Sequence, residues 1–420
     1  MLRVIALASL VALVGCHRQA DAPGDAPSNL QVDPGDGQVT VSWNQQPGLT
    51  YWIFFQAGGT VTAAAPGVPL IFDARSPRIV FPLVNGTQYA FVMNATNQDS
   101  KAGPSTPVVV KVPRLSGKNW TPGDPLGSPP QNLNGVAYNP VLNRIVAVGN
   151  LAPGTPPTPT IFAGDFNYTS TSPPGVTAWT PATSIPAGFV SDLSSVTFSG
   201  SQFIALGTDG SILTSADGNT WISATSVPSG GMNSIAFGIV SGAVVYVAVG
   251  NGGKIFTSAD LVTWATVSTT GNDLYNVSFP NGTFVATGLS GTLLTSPDAS
   301  TWTPRISNTP KALRGTTYGT GSAAGASAQY VVVGDSGTIV TSTDGTSWSL
   351  RPPPLSQDLR AIRFGTRFVA VGQAGMVAYS DDAITWATTS SGSASDLAAV
   401  IFTPAMYLAV GATGANAVSK

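Results

Sequence analysis

The sequence predicts an all-β chain, an N-terminal β-sandwich followed by a seven-bladed β-propeller, and three observations predict it. Tryptophans recur at Trp179, Trp221, Trp264, Trp302, Trp348 and Trp386, 38 to 46 residues apart. Glycines that end short apolar runs keep the same beat from Gly207 through Gly250, Gly288, Gly334, Gly372 and Gly411, with Gly149 a longer interval ahead of them, and a period of this length built from short strands is that of propeller blades. Composition agrees. Charged residues are 9% of the 420, against roughly 25% in an average soluble protein, and the apolar residues alternate or run in short blocks between Gly, Asp and Pro, as buried strands do.

The elements follow in chain order. Arg3, the apolar stretch Val4 to Val14, and Leu13-Val14-Gly15-Cys16 open the sequence; the stretch is too short to span a bilayer as a helix and has the form of an export signal. Its end resembles a bacterial lipobox. That resemblance implies a signal peptide over 1–15, cleavage before Cys16, a thioether-linked diacylglycerol on its sulfur and acylation of the new N-terminus. The membrane is then a partner through the lipid anchor, each buried methylene contributing about 0.8 kcal/mol. His17 follows the cysteine where Asp would mark inner-membrane retention, which in Gram-negative bacteria resembles the outer-membrane sorting class. Cys16 is the single cysteine, so no disulfide forms within the chain. Residues 16–26 are read as the lipidated cysteine and a polar tether without periodicity.

From 27 to 114 short alternating runs return: Val39-Thr40-Val41-Ser42-Trp43, Tyr51-Trp52-Ile53-Phe54-Phe55 and Tyr89-Ala90-Phe91-Val92-Met93. They read as a sandwich of seven short strands. Trp43, Leu83-Val84-Asn85-Gly86-Thr87-Gln88-Tyr89, Asn94-Ala95-Thr96-Asn97 and Gly103-Pro104-Ser105 resemble a fibronectin type III domain. The resemblance implies a tryptophan in the core, a tyrosine at the corner between strands, and service as a spacer or a binding module.

The repeats occupy 115–420. Seven copies of an inner strand begin at Leu133, Leu193, Met232, Leu274, Leu313, Leu359 and Leu397, each six residues long and ending in Tyr or Phe. Both faces carry apolar or small side chains, as suits a strand packed between neighbouring blades. The seventh copy reaches Lys420 without a tryptophan-bearing outer strand, while Asn119-Trp120-Thr121-Pro122 precedes the first. Trp120 is therefore expected to complete the last blade and close the ring, leaving no sheet edge open. Six or eight blades are the alternatives. The first blade departs from the rest, with a Pro-rich stretch over Leu151 to Thr160 and an enlarged turn over Gly164 to Val176.

Ser215-Ala216-Asp217-Gly218-Asn219-Thr220-Trp221 and Ser342-Thr343-Asp344-Gly345-Thr346-Ser347-Trp348 resemble the BNR or Asp-box repeat, shortened by one residue. Asp260 to Trp264, Asp298 to Trp302 and Asp381 to Trp386 are looser copies. Asp217 and Asp344 are expected to accept hydrogen bonds from amides of their own turns, with Trp221 and Trp348 packed beneath. The strand glycines followed by Thr-Ser-x-Asp-Gly-x-x-Trp are similar to the propellers of photosystem II assembly factors and their bacterial relatives. This second resemblance covers about residues 120 to 420 and implies a non-enzymatic scaffold.

Chemistry is bounded by what the chain lacks. All 20 acidic residues are Asp, and the single histidine is His17, in the tether. A sialidase-like site needs Glu, and Ser-His-Asp, Cys-His and His-ligated metal chemistry need histidine near the propeller. No cofactor or metal is expected. A net charge of −2 without a basic run excludes a nucleic-acid partner. The residues preceding the inner strands include Asp192, Asp273, Asp358 and Asp396, and Arg314 and Arg360 stand one step inside. This mixed rim is the candidate binding site, and each Asp capping a strand start through backbone hydrogen bonds is the competing structural reading. The expected function is a lipid-anchored, non-catalytic envelope interaction or scaffold protein binding a protein or glycan. The alternative is a surface glycan-degrading enzyme working through Asp carboxylates.

Overall fold

These runs fold as strands in a computed structural model that describes residues 21–419 except 36, 81, 98–100, 114–115, 155–156, 168–174, 177, 225, 228–229, 270, 324 and 404–405. Cys16 and His17 lie outside the described residues. By its contacts the described chain divides into two units, one of residues 21–33, 40–78 and 87–112, the other of 34–39, 79–86 and 113–419.

In the first unit a four-stranded antiparallel sheet has the order Leu70–Ala74, Leu49–Ala57, Tyr89–Asn97, Val109–Lys111. Successive side chains of its long central pair point to opposite faces, and both faces are covered: Tyr51, Ile53, Phe91 and Met93 are buried on one, and Phe54, Ala90 and Val92 on the other, packed with Val61. Gln31–Gly35, Gln38–Ser42 and Arg78–Val80 pair in that order in a second, three-stranded sheet. Trp43 directly follows the second of these strands. It is buried and meets the Tyr51 ring at 5.4 Å between centroids.

From Trp120 onward the described residues form seven antiparallel sheets, each running outward from an inner strand. The second is representative: Leu193–Phe198, Phe203–Gly207, Ile212–Ser215 and Ile222–Ala224. The inner strand of each sheet lies against those of its two neighbours, and Leu397–Thr403 of the last lies against Leu133–Asn139 of the first. The ring is thus closed, which is the arrangement of a β-propeller. Its core is a series of wedges between sheets. Val146, Val148, Leu193, Val196 and Phe203 fill the first such wedge, while Leu408 and Val410 of the seventh sheet meet Leu133 and Ile145 of the first. Each fully buried aliphatic side chain contributes about 1.5–3 kcal/mol.

The seventh sheet takes its outermost strand from the other end of the chain. Asn416–Ser419 pairs with Trp120–Pro122, Ser419 opposite Trp120. The first sheet is the irregular one: its third strand, Thr158–Asn167, pairs with two short pieces, Gly175–Val176 and Thr180–Pro181, in place of one outer strand.

Candidate functional site

The two faces of the ring use their aspartates differently. Turns between the third and fourth strands carry the tryptophan motif. Asp344 Oδ1 accepts bonds from Ser342 Oγ at 2.9 Å and from the amides of Thr346 and Ser347 at 2.8 Å, while Trp348 Nε1 donates to Gly345 O at 3.2 Å. Asp217 does the same with Ser215, Asn219 and Thr220, above a buried Trp221. Asp260 and Asp298 repeat it. In the sixth sheet the acceptor is Asp382, bonded by the amides of Ile384 and Thr385, and not Asp381. Trp stands four positions after Asp in every working copy, so the sequence assignment to Asp381 was one residue early; Asp381 instead pairs with Arg367.

These bonds set a pH dependence. The amides of Ser347 and Thr346 hold the Asp344 carboxyl well below its ordinary 3.8, and the Thr301 amide does so for Asp298. At Asp217 partial burial works the other way, yet the Thr220 and Asn219 amides outweigh it and the carboxyl is again lowered. A carboxyl lowered in the folded state gives stability that is full above its unfolded value and is lost as pH falls through the folded one. The melting temperature is therefore expected to be level from about pH 5 to 8 and to fall below the unfolded value of 3.8. A decline already present between pH 7 and 5 in a thermal unfolding series would contradict this.

At the opposite face, the mouth, the residue before each inner strand meets the turn joining strands two and three of the preceding sheet. Asp192 Oδ1 accepts from the Leu151 amide at 2.7 Å, Asp273 Oδ1 from Gly252 at 2.7 Å, Asp358 Oδ1 from Ser336 at 2.9 Å and Asp396 Oδ1 from Ala374 at 2.9 Å. Asn132 closes the circle through Thr413 at 2.9 Å. The main-chain oxygen of the same residue accepts from its own sheet's turn, as Asp358 does from Gln373 at 2.9 Å. Each carboxylate thus latches two neighbouring sheets. Gly231 and Ala312 occupy the equivalent places at the other two junctions, which have no such latch.

Close approach explains the periodic glycine. A Cβ on Gly372 would overlap the Asp358 carbonyl oxygen, and one on Gly288 or Gly411 would meet Asp273 or Asp396 in the same way. The turn beyond is equally constrained. Ser336 and Gly337 both have positive φ, 54° and 69°, the pattern of a tight hairpin turn, and the Asp358 carboxylate holds the amide of that left-handed serine.

The rim therefore brings together what the sequence singled out, with partners the sequence did not supply. Arg314 pairs with Asp335, Nε to Oδ1 and Nη2 to Oδ2, the latter at 3.1 Å, and its guanidinium lies over the Tyr275 ring at 4.9 Å. The Asp335 bonds raise its pKa against the effect of burial. Arg360 Nη2 pairs with Asp396 Oδ2 at 2.8 Å, while its Nε is buried without a partner. Among the described residues, Asp192, Asp273 and Asp358 each keep their second carboxylate oxygen unbonded. Below this ring the inner strands enclose a channel of about 720 Å³, whose upper lining includes Asn134, Ser194, Asn233 and Tyr275. Asn134 and Asn233 bond to Asn150 and Asn251 of their own sheets' turns and to the main chain of the following sheet. Tyr275 is the contributor sequence reasoning missed. Its signal was its place, equivalent to Arg314 and Arg360 in the fourth copy. No group of three or more His, Cys, Asp or Glu arranged to hold a metal occurs among the described residues.

No family model matches the chain, and no curated protein matches it. Among solved structures it is similar to one described as YCF48 bound to D1 peptide, with 17% sequence identity and a TM-score of 0.52, over 72% of this chain and 96% of that one. A second, YCF48 from Cyanidioschyzon merolae, has 17% identity and a TM-score of 0.49, over 71% of this chain and 98% of that one. At such identity the first likeness establishes the fold alone, a β-propeller, and supports that part of the resemblance read in the repeats.

Proposed function

We propose that residues 115–420 are a seven-bladed β-propeller and residues 27–114 a fibronectin type III domain, in a lipid-anchored, non-catalytic envelope protein whose mouth face binds a segment of a protein partner. The observation that carries this reading is the state of the polar groups at the mouth. Three carboxylates are fixed in place by one oxygen and present the other, beside the Arg314–Tyr275 stack and the half-paired Arg360. Such a fixed set of donors and acceptors suits the mixed polarity of a polypeptide backbone and its side chains. On the opposite face the motif carboxylates are consumed by their own turns. A propeller described as holding a peptide, YCF48 with D1 peptide, is a fold-level parallel for this use. Nothing in the geometry favours the Asp-based hydrolase, because the rim carboxylates serve as latches between sheets.

The test is site-specific photocrosslinking in cells. A benzophenone amino acid at Tyr275 is expected to capture a protein partner, and the same group at Ile384, exposed on the tryptophan-motif face, is not. Capture from Ile384 alone, or from neither position, would sink the proposal. The anchor is tested separately: Cys16→Ala is expected to move the protein from the membrane fraction to the soluble one, and membrane retention would remove the lipid from the account.

A further inference from the structure

The charged residues lining the channel are three arginines, Arg314, Arg360 and Arg363, and no aspartate lines it among the described residues. Two of the three are neutralised from the mouth, by Asp335 and Asp396. Arg363 is not. It stands three residues farther down the sixth inner strand, opposite Val369 in register, and no ion pair or hydrogen bond to it occurs among the described residues. Its side chain is exposed to the lumen while walls of Val400, Ile401 and Phe402 lie along the same channel. That enclosure, open to lumen water yet surrounded by protein, draws its guanidinium below the ordinary value, though an arginine remains charged at neutral pH.

A fixed cation in a confined space with low-dielectric walls focuses its field along the lumen and concentrates anions there.

We infer that the channel binds a small oxyanion, the carboxylate or phosphate group of a small molecule, with the Arg363 guanidinium as its counter-ion. The guanidinium fork matches both groups in bidentate fashion. This site is separate from the mouth face, where a polypeptide is proposed to bind, and does not depend on it.

Thermal unfolding of the purified full chain tests it with three probes at equal ionic strength: inorganic phosphate, acetate and chloride. Phosphate or acetate at tens of millimolar is expected to raise the melting temperature by about 2 °C over chloride, and whichever does so identifies the group. Arg363→Gln is expected to abolish the difference while melting within about 1 °C of the parent in chloride, and Arg78→Gln, at an exposed position elsewhere, to keep it. No difference in the parent chain, or an equal one in Arg363→Gln, overturns the inference.

Discussion

Truncation after Ala415 is expected to lower the melting temperature by about 10 °C or more and to make the protein prone to aggregate. The five residues removed include Asn416–Ser419, the strand between Met406–Gly411 and Trp120–Pro122. Losing it costs more than its own ladder. Ser419 Oγ accepts from the Gly117 amide at 2.7 Å and donates to Asn119 O at 2.6 Å, and Asn416 Nδ2 donates to Asp124 O at 2.6 Å. Without these anchors the Trp120 strand has nothing to pair with. Each bond contributes about 1 kcal/mol net, and buried Ala417 and the half-buried Trp120 and Val418 leave the core, so a loss of about 4–6 kcal/mol follows. Met406–Gly411, buried along its whole length, becomes an open apolar edge, the feature that templates association. Ser419→Ala removes two bonds and leaves the strand, and should cost about 1–2 kcal/mol. If truncation shifts the transition no further than Ser419→Ala, closure by this strand carries little of the stability. Calorimetry with light scattering on the three proteins decides it.

How far the sequence could be read depends on whether an interaction lies within one repeat or between two. The propeller is visible in the spacing of Trp221, Trp264 and Trp302 because each repeat carries its own copy of the same local solution. Asp217 and Asp344 are legible as turn acceptors for the same reason: Ser, Asp, Gly and Trp sit within seven residues of one another. The Asp381 assignment failed at that level too, but only by register, and the constant interval to Trp386 corrects it. The rim is different. The carboxylate of Asp358 bonds an amide in the preceding repeat, and its carbonyl forbids a side chain on Gly372 in its own, so neither role can be read until the repeats are placed side by side. Arg363 and Arg367 look alike in sequence, four residues apart on the same hairpin. One strand turn separates a cation open to the lumen from one sealed in the wall.

Asp381→Asn is expected to cost about 3 kcal/mol, more than any other exchange of a single carboxylate in the ring. Arg367 is 1% exposed, and its Nη2 pairs with Asp381 Oδ1 at 2.8 Å. Its Nε and Nη1 have no partners, and its guanidinium lies over the Tyr379 ring at 5.2 Å. The cation is therefore held in the wall by one carboxylate and one aromatic face. Removing the carboxylate strands the charge, whereas removing the charge leaves a partly solvated aspartate that needs no partner. Arg367→Met should thus cost less than Asp381→Asn, and adding Arg367→Met to Asp381→Asn should restore stability in place of lowering it further. The pair Arg144–Asp165 supplies the contrast. It spans the same positions in the first sheet at 2.7 Å, but its side chains are 22% and 49% exposed, and Arg144 also donates to Asp217 O. Asp165→Asn should accordingly cost under about 1 kcal/mol. Urea unfolding of the four variants measures the cycle. Equal losses at Asp381 and Asp165, or additive losses at Arg367 and Asp381, would mean that water reaches Arg367 after all and that the wall beneath the Gly117 turn opens in solution.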